Sequence, residues 1–398
     1  MTPNLKNLHP YPFEKLTQLK QGITPPANKS PIVLSIGEPT HETPAFIGEA
    51  LLKQLAGLSN YPTTKGILAL RRAISEWLGK RFQIPNEFIN PEDHVLPVSG
   101  TREALFSFAQ CIIDPTTRPV VIMPNPFYQI YEGAALLAGA EPYFLNTQKE
   151  TDYLPDFDAV PEAIWQRCQL IYICSPGNPS GAVMSKSSHE KLINLAEKYD
   201  FIIASDECYS ELYDDETKPP LGLLQTAYSM GNLTFKRCVV FHSLSKRSNA
   251  PGLRSGFVAG DADILHQYFQ YRTYQGCAMP LPTQHASIKA WQDEQHVIEN
   301  RRLYREKFAA FIAILADVCT LQKPPAGFYV WLTTPIADTA FAQRLFAEEN
   351  VTVLPGSFLS REFAGQNPGL NHVRIALVAS LDDCIEAAHR IKNILNTL

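Results

Sequence analysis

The sequence has few of the patterns that mark metal-binding or disulfide-stabilised proteins. Its eight cysteines are scattered and form no C-x-x-C pair. Its ten histidines form no H-E-x-x-H motif. We therefore expect no disulfide framework, no structural zinc site and no metal in the functional site.

Long apolar runs and strong net charge are also missing. No apolar run approaches the roughly 18 residues that span a bilayer. The first twenty residues lack the apolar core of a signal peptide. A net charge of -5 gives no reason to expect nucleic acid or an anionic membrane as a partner. These observations favour a cytoplasmic protein.

The apolar segments that are present predict an α/β fold. Hydrophobic residues make up 45% of the 398 residues and charged residues 19%, which is typical of globular proteins. Short apolar runs alternate with segments of helical periodicity, so we expect a mostly parallel sheet covered by helices on both faces. The predicted strands span residues 95–98, 120–123, 141–145, 170–174, 201–205 and 238–242.

The remaining segments predict a second, smaller α+β unit built from both ends of the chain. The N-terminal segment is rich in proline and polar residues and ends in a short predicted strand at 32–36. After about residue 291, a long helical pattern leads to predicted strands at 327–332 and 372–379. We therefore expect an N-terminal arm and part of the small domain at 1–44, a large domain at 45–290 and a small C-terminal domain at 291–398.

Polar residues follow several of the apolar strands of the predicted large sheet. In parallel sheets, ligands bind beyond the carboxyl ends of the strands, so these side chains are candidates for one site. They are Gly100 and Thr101, Tyr128, Asn178, Asp206, Ser243 and Lys246.

The segment Ser243-Leu244-Ser245-Lys246, with Arg254 eight residues beyond the lysine, carries the most specific signal. A lysine amine becomes a nucleophile when its surroundings lower its pKa. Hydroxyl groups and an arginine beside it suit a phosphate. This combination predicts pyridoxal 5'-phosphate, an aldehyde cofactor with a phosphate group. Taken alone, the segment is equally compatible with a surface lysine near a turn.

Three other residues have a chemical and a structural interpretation. Asp206 ends an apolar strand, where its carboxylate suits a protonated pyridine nitrogen or simply caps a helix. Asn178 lies in a Pro- and Gly-rich turn. The turn either directs the Asn178 amide toward a ligand or has only a structural role. Arg374 lies within an apolar strand, where it needs a carboxylate, either of a substrate or of a structural salt bridge.

Together these motifs resemble the fold-type I, class I/II aminotransferases over nearly the whole chain. The resemblance rests on motifs that occur in the order of that family: Ser35-Ile36-Gly37-Glu38-Pro39, Tyr61-Pro62, Ser99-Gly100-Thr101, Asn178-Pro179-Ser180-Gly181, Asp206-Glu207-Cys208-Tyr209, Ser243-Leu244-Ser245-Lys246, Gly252-Leu253-Arg254 and Arg374.

The resemblance implies a role for each matching residue. Lys246 binds the cofactor aldehyde and shuttles the proton of the substrate α carbon. Arg374 binds the substrate α-carboxylate, with Gly37 and Asn178 in the same site. Tyr61 reaches the phosphate from a neighbouring subunit, which implies a homodimer with shared active sites. The other implied cofactor contacts are Asp206 to the ring nitrogen, Asn178 and Tyr209 to the ring oxygen, Tyr128 on the ring face, and Gly100, Thr101, Ser243 and Arg254 at the phosphate.

Several segments are also similar to the proteobacterial N-succinyldiaminopimelate aminotransferases of lysine and meso-diaminopimelate biosynthesis. They are residues 8–16, 35–39, 124–131 and 242–257. That similarity implies amino transfer between glutamate and N-succinyl-2-amino-6-ketopimelate, giving 2-oxoglutarate and N-succinyl-LL-2,6-diaminopimelate.

Three alternatives stay open at this point. The first is an aspartate or broad-specificity aminotransferase, with Arg272 as a candidate for the distal cation. The second is a cofactor-sensing regulator, which the lack of a basic helix pair disfavours. The third is a Schiff-base lyase on the same scaffold, which Arg374 and Tyr61 disfavour.

Overall fold

The computed structural model describes residues 3–398. Within them, no helix combines the length and the apolar character that a membrane crossing requires. The helices are α1 Pro12–Leu19, α2 Ala45–Leu52, α3 Leu68–Phe82, α4 Thr101–Ile112, α5 Gln129–Leu137, α6 Glu162–Trp165, α7 Lys186–Tyr199, α8 Leu223–Ser229, α9 Leu244–Arg247, α10 Ala262–Gln275, α11 Leu281–Gln292, α12 Gln295–Leu315, α13 Asp338–Glu349 and α14 Leu381–Leu395.

The strands form one large and two small sheets. A seven-stranded sheet has the order β2-β8-β7-β6-β5-β3-β4, β11-β12-β9 form a three-stranded sheet, and β1 pairs with β10. The strands are β1 Ile32–Val33, β2 Val95–Val98, β3 Val120–Asn125, β4 Glu141–Asn146, β5 Cys168–Cys174, β6 Ile202–Asp206, β7 Cys238–Ser243, β8 Gly256–Gly260, β9 Tyr329–Thr333, β10 Val351–Thr352, β11 Leu354–Pro355 and β12 His372–Ala376.

The central strands of the large sheet are apolar on both faces. Successive residues of a strand point to opposite faces. Accordingly, Val240 of β7 lies in one hydrophobic cluster, whereas Val239 and Phe241 lie in another. Helices cover both clusters, so these strands read as continuous apolar runs rather than alternating ones. The predicted α/β fold is confirmed.

The edge near β2 differs from the prediction. Strand β8 was not predicted, and it runs antiparallel to both β7 and β2. Its five residues are Gly-Phe-Val-Ala-Gly, and a β-carbon on Gly260 would lie 2.0 Å from the Cys238 carbonyl oxygen. Glycine at both ends of β8 made the sequence look less like a strand. Close packing against β7 nevertheless requires glycine at position 260.

The small sheets share a core drawn from both ends of the chain. Ile32, Phe311 and Val373 belong to a third cluster, which α12, α13 and α14 help to cover. Helix α14 begins as its sequence indicates, because the Ser380 hydroxyl accepts a hydrogen bond from the Asp383 amide at 3.1 Å. This arrangement carries β12 to the carboxyl edge of the large sheet.

Candidate active site

A cavity of about 390 Å³ lies where the carboxyl ends of β5, β6 and β7 meet β12. Most of the predicted site residues line it, although the sequence places them far apart. They are Gly37, Thr101, Tyr128, Asn178, Asp206, Tyr209, Ser243, Lys246, Arg254 and Arg374. The parallel strands bring together the residues of the large sheet, because they end at the same edge, and β12 of the small sheet adds Arg374.

Lys246 lies on α9, the short helix that follows β7. Its Nζ donates a hydrogen bond to the Gly37 carbonyl oxygen and lies 5.6 Å from the centre of the Phe328 ring. Burial, assisted by the nearby Arg374 and Arg254 guanidinium groups, lowers the pKa of this amine to about 8. A substantial fraction is therefore neutral near pH 8, the form that attacks an aldehyde or accepts a proton.

Asp206 ends β6 with its carboxylate buried at the base of the cavity. Its Oδ2 accepts a hydrogen bond from the Tyr131 hydroxyl at 2.6 Å, and its Oδ1 accepts one from the Cys208 amide at 3.2 Å. Burial nevertheless raises the pKa of this carboxyl group. A cationic partner in the cavity would offset that desolvation and keep the group ionised.

Tyr131 is a site residue that was not among the predicted contacts. It is buried, and its ring stacks on Tyr172 at 4.7 Å between centroids. Burial raises its pKa well above the ordinary value, so the hydroxyl stays protonated and donates to Asp206. The only sequence signal was its position three residues after Tyr128 on α5, because Asp206 lies 75 residues away in the chain.

Arg374 lies in β12 with its guanidinium buried and hydrogen-bonded to neutral oxygen atoms. Nη1 donates to Asn178 Oδ1 at 2.9 Å, and Nη2 donates to the Ser35 carbonyl at 2.8 Å. Its Nε is buried and has no hydrogen-bond partner within residues 3–398. The structural salt bridge considered for this arginine is not what the geometry shows, and an anionic ligand is the partner that would satisfy it.

Asn178 and two tyrosines surround the Arg374 guanidinium. Because Asn178 Oδ1 accepts from Arg374, its Nδ2 remains available as a donor. The Tyr329 ring lies 4.5 Å from the guanidinium carbon, and its hydroxyl is 3.0 Å from the Tyr209 hydroxyl. This end of the cavity can therefore orient a carboxylate and donate hydrogen bonds to a second oxygen.

The opposite end of the cavity combines Arg254 with hydroxyl groups and a helix N-terminus. Ser243 Oγ is 2.9 Å from Ser245 Oγ, and Thr101 is the first residue of α4. Gly100 does not line the cavity, but it has φ +85°, and a β-carbon there would lie 2.1 Å from Arg254 Nη2. Donors of this kind at a helix N-terminus suit a phosphate.

Besides Gly100, two residues considered in the sequence lie outside the cavity. The Tyr61 side chain is completely exposed, with a relative accessibility of 101%. Arg272 is wrong as a distal substrate cation, because it is buried 2.5 Å from the Glu103 carboxylate and donates to the Cys277 carbonyl. It is a structural ion pair between α10 and α4.

Comparisons with known proteins agree with the family that the sequence motifs predict. Residues 29–391 fit the family model described as "Aminotransferase class I and II". The LL-diaminopimelate aminotransferase of Nitratidesulfovibrio vulgaris (strain DSM 19637 / Miyazaki F) is 31% identical over 401 residues, which cover 99% of each chain.

This chain belongs to the class I and II aminotransferases.

Solved structures of aminotransferases have the same fold. An aminotransferase from Neisseria meningitidis Z2491 is 48% identical, with a TM-score of 0.95 and complete coverage of both chains. A probable N-succinyldiaminopimelate aminotransferase from Thermus thermophilus is 25% identical, with a TM-score of 0.82 over 96% of this chain and 100% of that one. The predicted family and the fold-type I architecture are confirmed.

Aminotransferases of this family depend on pyridoxal phosphate and act on amino acids and 2-oxo acids. The residues of this cavity fit that cofactor. Asp206 is a buried acid whose desolvation a cationic ring nitrogen would offset. Lys246 offers an amine of lowered pKa, and Arg254 with the α4 N-terminus offers donors for the phosphate.

We predict that Arg374→Ala greatly weakens the use of every amino acid substrate. Removing one partner of a buried, hydrogen-bonded charge pair costs about 2–5 kcal/mol. kcat/KM should therefore fall at least roughly 30-fold, since 1.4 kcal/mol corresponds to tenfold. Steady-state kinetics with several amino acids measures this, and Arg374→Lys serves as the charge-matched control with an intermediate loss. An unchanged KM in the alanine variant would place the carboxylate elsewhere.

We predict that Lys246→Ala abolishes the visible absorbance that depends on a covalent bond between Lys246 and the cofactor, and that it reduces transamination by at least about 10²–10⁴-fold, the usual contribution of acid–base catalysis. Lys246→Arg should fail similarly, because a guanidinium retains charge but does not deprotonate near neutral pH. Absorbance spectra and single-turnover assays measure both effects. Full turnover by either variant would refute the role of this amine.

Proposed function

We propose that this aminotransferase transfers an amino group between glutamate and N-succinyl-2-amino-6-ketopimelate in lysine and diaminopimelate biosynthesis. The main support is the similarity of residues 8–16, 35–39, 124–131 and 242–257 to the N-succinyldiaminopimelate aminotransferases. The Thermus thermophilus structure described above also carries that name. The relative from Nitratidesulfovibrio vulgaris acts, by name, on LL-diaminopimelate, which is the same skeleton without the succinyl group.

The part of the cavity lining that the N-terminal segment, α4 and α5 contribute supports a long, acidic substrate. The N-terminal segment contributes Tyr11 and Phe13 there, and α4 and α5 contribute Arg102 and Gln129. The Arg102 guanidinium lies 5.4 Å from the centre of the Tyr11 ring. An apolar and cationic wall of this kind suits a succinyl arm, which ends in a carboxylate.

In the proposed mechanism, Arg374 and Asn178 orient the substrate α-carboxylate. When bound, pyridoxal phosphate supplies an electron sink that stabilises negative charge at the substrate α carbon. The Lys246 amine would accept the proton of the substrate α carbon and, as an ammonium group, would later donate it. Asp206, whose carboxylate accepts a hydrogen bond from Tyr131, would hold the cofactor through its ring nitrogen, and Tyr209 and Tyr128 would bind its ring.

The second candidate substrate is LL-diaminopimelate itself. The identity of 31% to the Nitratidesulfovibrio vulgaris enzyme favours it, as does Glu38 in the lining of the cavity. A carboxylate there would attract the distal ammonium group that succinylation removes. The succinylated substrate therefore predicts that Arg102 contributes to substrate binding and Glu38 does not, whereas LL-diaminopimelate predicts the reverse.

A substrate panel tests the choice. With glutamate as donor, we expect kcat/KM for the succinylated keto acid to exceed that for oxaloacetate and for the unsuccinylated keto acid by at least about 10-fold, because one charged hydrogen bond contributes about 1.5–3 kcal/mol. Arg102→Gln should remove most of that advantage, and Glu38→Gln, as the matched control, should not. If the enzyme prefers the unsuccinylated substrate and Glu38→Gln abolishes that preference, LL-diaminopimelate is the substrate. If the enzyme prefers oxaloacetate, it is an aspartate aminotransferase.

We also propose that the enzyme is a homodimer in which Tyr61 completes the active site of the partner subunit. The support is a run of exposed large apolar side chains around Tyr61, namely Leu52, Leu55 and Leu58. Monomeric proteins seldom expose contiguous patches of this kind. Within each subunit we retain the division into 1–44 with 291–398 as the small domain and 45–290 as the large one.

Mixed dimers test the shared site. Tyr61→Ala and Lys246→Ala should each reduce activity strongly in separate homodimers. Mixed after partial unfolding and refolding, they should recover activity, since each heterodimer would contain one site with both native residues. Equal activity of the mixture and of its components, or a monomeric mass of 44.5 kDa in sedimentation experiments, would contradict the proposal.

A further inference from the structure

The helix that carries Lys246 is too short to satisfy its own carbonyl groups. Helix α9 has four residues, and the last four carbonyls of any helix lack partners within it. The Ser248 amide bonds to the Leu244 carbonyl at 3.0 Å. The carbonyls of Lys246 and Arg247 instead accept hydrogen bonds from Asn300 Nδ2, at 3.2 and 3.4 Å.

Asn300 belongs to α12 and is almost completely buried, at 1% accessibility. Its Oδ1 accepts a hydrogen bond from Asn249 Nδ2 at 3.1 Å and lies 2.8 Å from His41 Nδ1. Both polar ends of this side chain are therefore engaged: its donor faces the end of α9, and its acceptor faces away from it.

His41 and Lys307 determine which way the Asn300 amide points. Lys307 Nζ lies 2.6 Å from His41 Nε2, and a lysine ammonium group only donates. Nε2 is then the acceptor and Nδ1 carries the proton, so Nδ1 donates to Asn300 Oδ1. The Asn300 NH₂ group must in turn face the carbonyls of α9. Every donor in this hydrogen-bond network therefore faces an acceptor.

The same hydrogen-bond network connects α9 to the two segments that face the Lys246 side chain. Lys307 also donates to the Val378 carbonyl at 3.2 Å, and the Thr40 hydroxyl donates to the same oxygen. Val378 lies two residues beyond β12, which carries Arg374. Thr40 lies three residues beyond Gly37, whose carbonyl accepts the hydrogen bond of the Lys246 amine. The network thus joins the backbone of α9 to both segments that face its side chain.

We propose that Asn300, oriented by His41 and Lys307, is a positioning residue that caps α9 and holds the Lys246 amine against the Gly37 carbonyl. This inference rests on the role proposed above for Lys246. A displacement of about 1 Å in a reacting group can cost about 10²-fold in rate. A relaxed α9 would also expose the amine to water and raise its pKa toward the ordinary value.

Asn300→Asp is the sharpest test, because the carboxylate has the same shape but no donor for the two carbonyls. Asn300→Ala removes the cap without repulsion, and Asn300→Ser keeps one hydroxyl donor. Tyr304→Phe is the matched control, since it lies one turn further along α12 and its buried hydroxyl has no partner within residues 3–398. Thermal unfolding establishes that each variant is folded.

Two measurements separate positioning from general stability. The first is kcat and KM for the amino donor in the holoenzyme. The second, in cofactor-free protein, is the pH midpoint at which an amine-reactive reagent labels Lys246, quantified by peptide mass spectrometry. We expect kcat to fall about 10- to 100-fold in Asn300→Asp, less in Asn300→Ala and least in Asn300→Ser, with KM nearly unchanged.

The labelling midpoint should rise from about 8 in the native protein toward 10.5 in the Asn300→Asp variant, and it should stay near 8 in Tyr304→Phe. Folded Asn300 variants with native kcat and a native midpoint would overturn the inference, as would a lower melting temperature as their only change. Activity retained by Lys246→Ala would instead overturn the proposed role of the lysine. The two failures are therefore distinguishable.

Discussion

The central constraint in this molecule is that Lys246, Arg374 and Asp206 line one cavity without pairing with one another, while the more exposed Arg254 lies at its other end. The hydrogen-bond partners of Lys246, Arg254 and Arg374 are neutral oxygen atoms of the chain. Removing charges from water without pairing them is costly. The cavity therefore favours a ligand that brings a phosphate, a carboxylate and a cationic ring nitrogen, and the rest of the fold holds the four groups in place.

Much of this site could be predicted from the sequence, because its residues follow recognisable apolar strands. The strands that end at Asp206 and Ser243 are mostly apolar, which makes the polar residues at their last positions markers of the carboxyl edge. The order of motifs along the chain predicted the family and its cofactor, and both are confirmed. The individual roles of these residues remain predictions.

The features that sequence reasoning missed depend on contacts between distant segments. The Tyr131 hydroxyl on α5 donates a hydrogen bond to Asp206 on β6. Asn300 donates one to α9 from α12, and the sequence pattern of α12 indicates only which of its residues are apolar. Strand β8 was missed because glycines at its ends reduce its β propensity. The Arg272 alternative failed for a related reason, since a buried ion pair and a ligand-binding cation look alike in a sequence.

The close approach of Gly100 to Arg254 has a consequence for natural variation in this protein. Any β-carbon at position 100 would coincide with the guanidinium, and the backbone there has a positive φ that other residues rarely adopt. Even alanine, which changes neither charge nor polarity, would push the arginine out of its place. A conservative replacement of Gly100, which lies outside the cavity, would therefore have the same effect as the loss of the Arg254 guanidinium from the cavity.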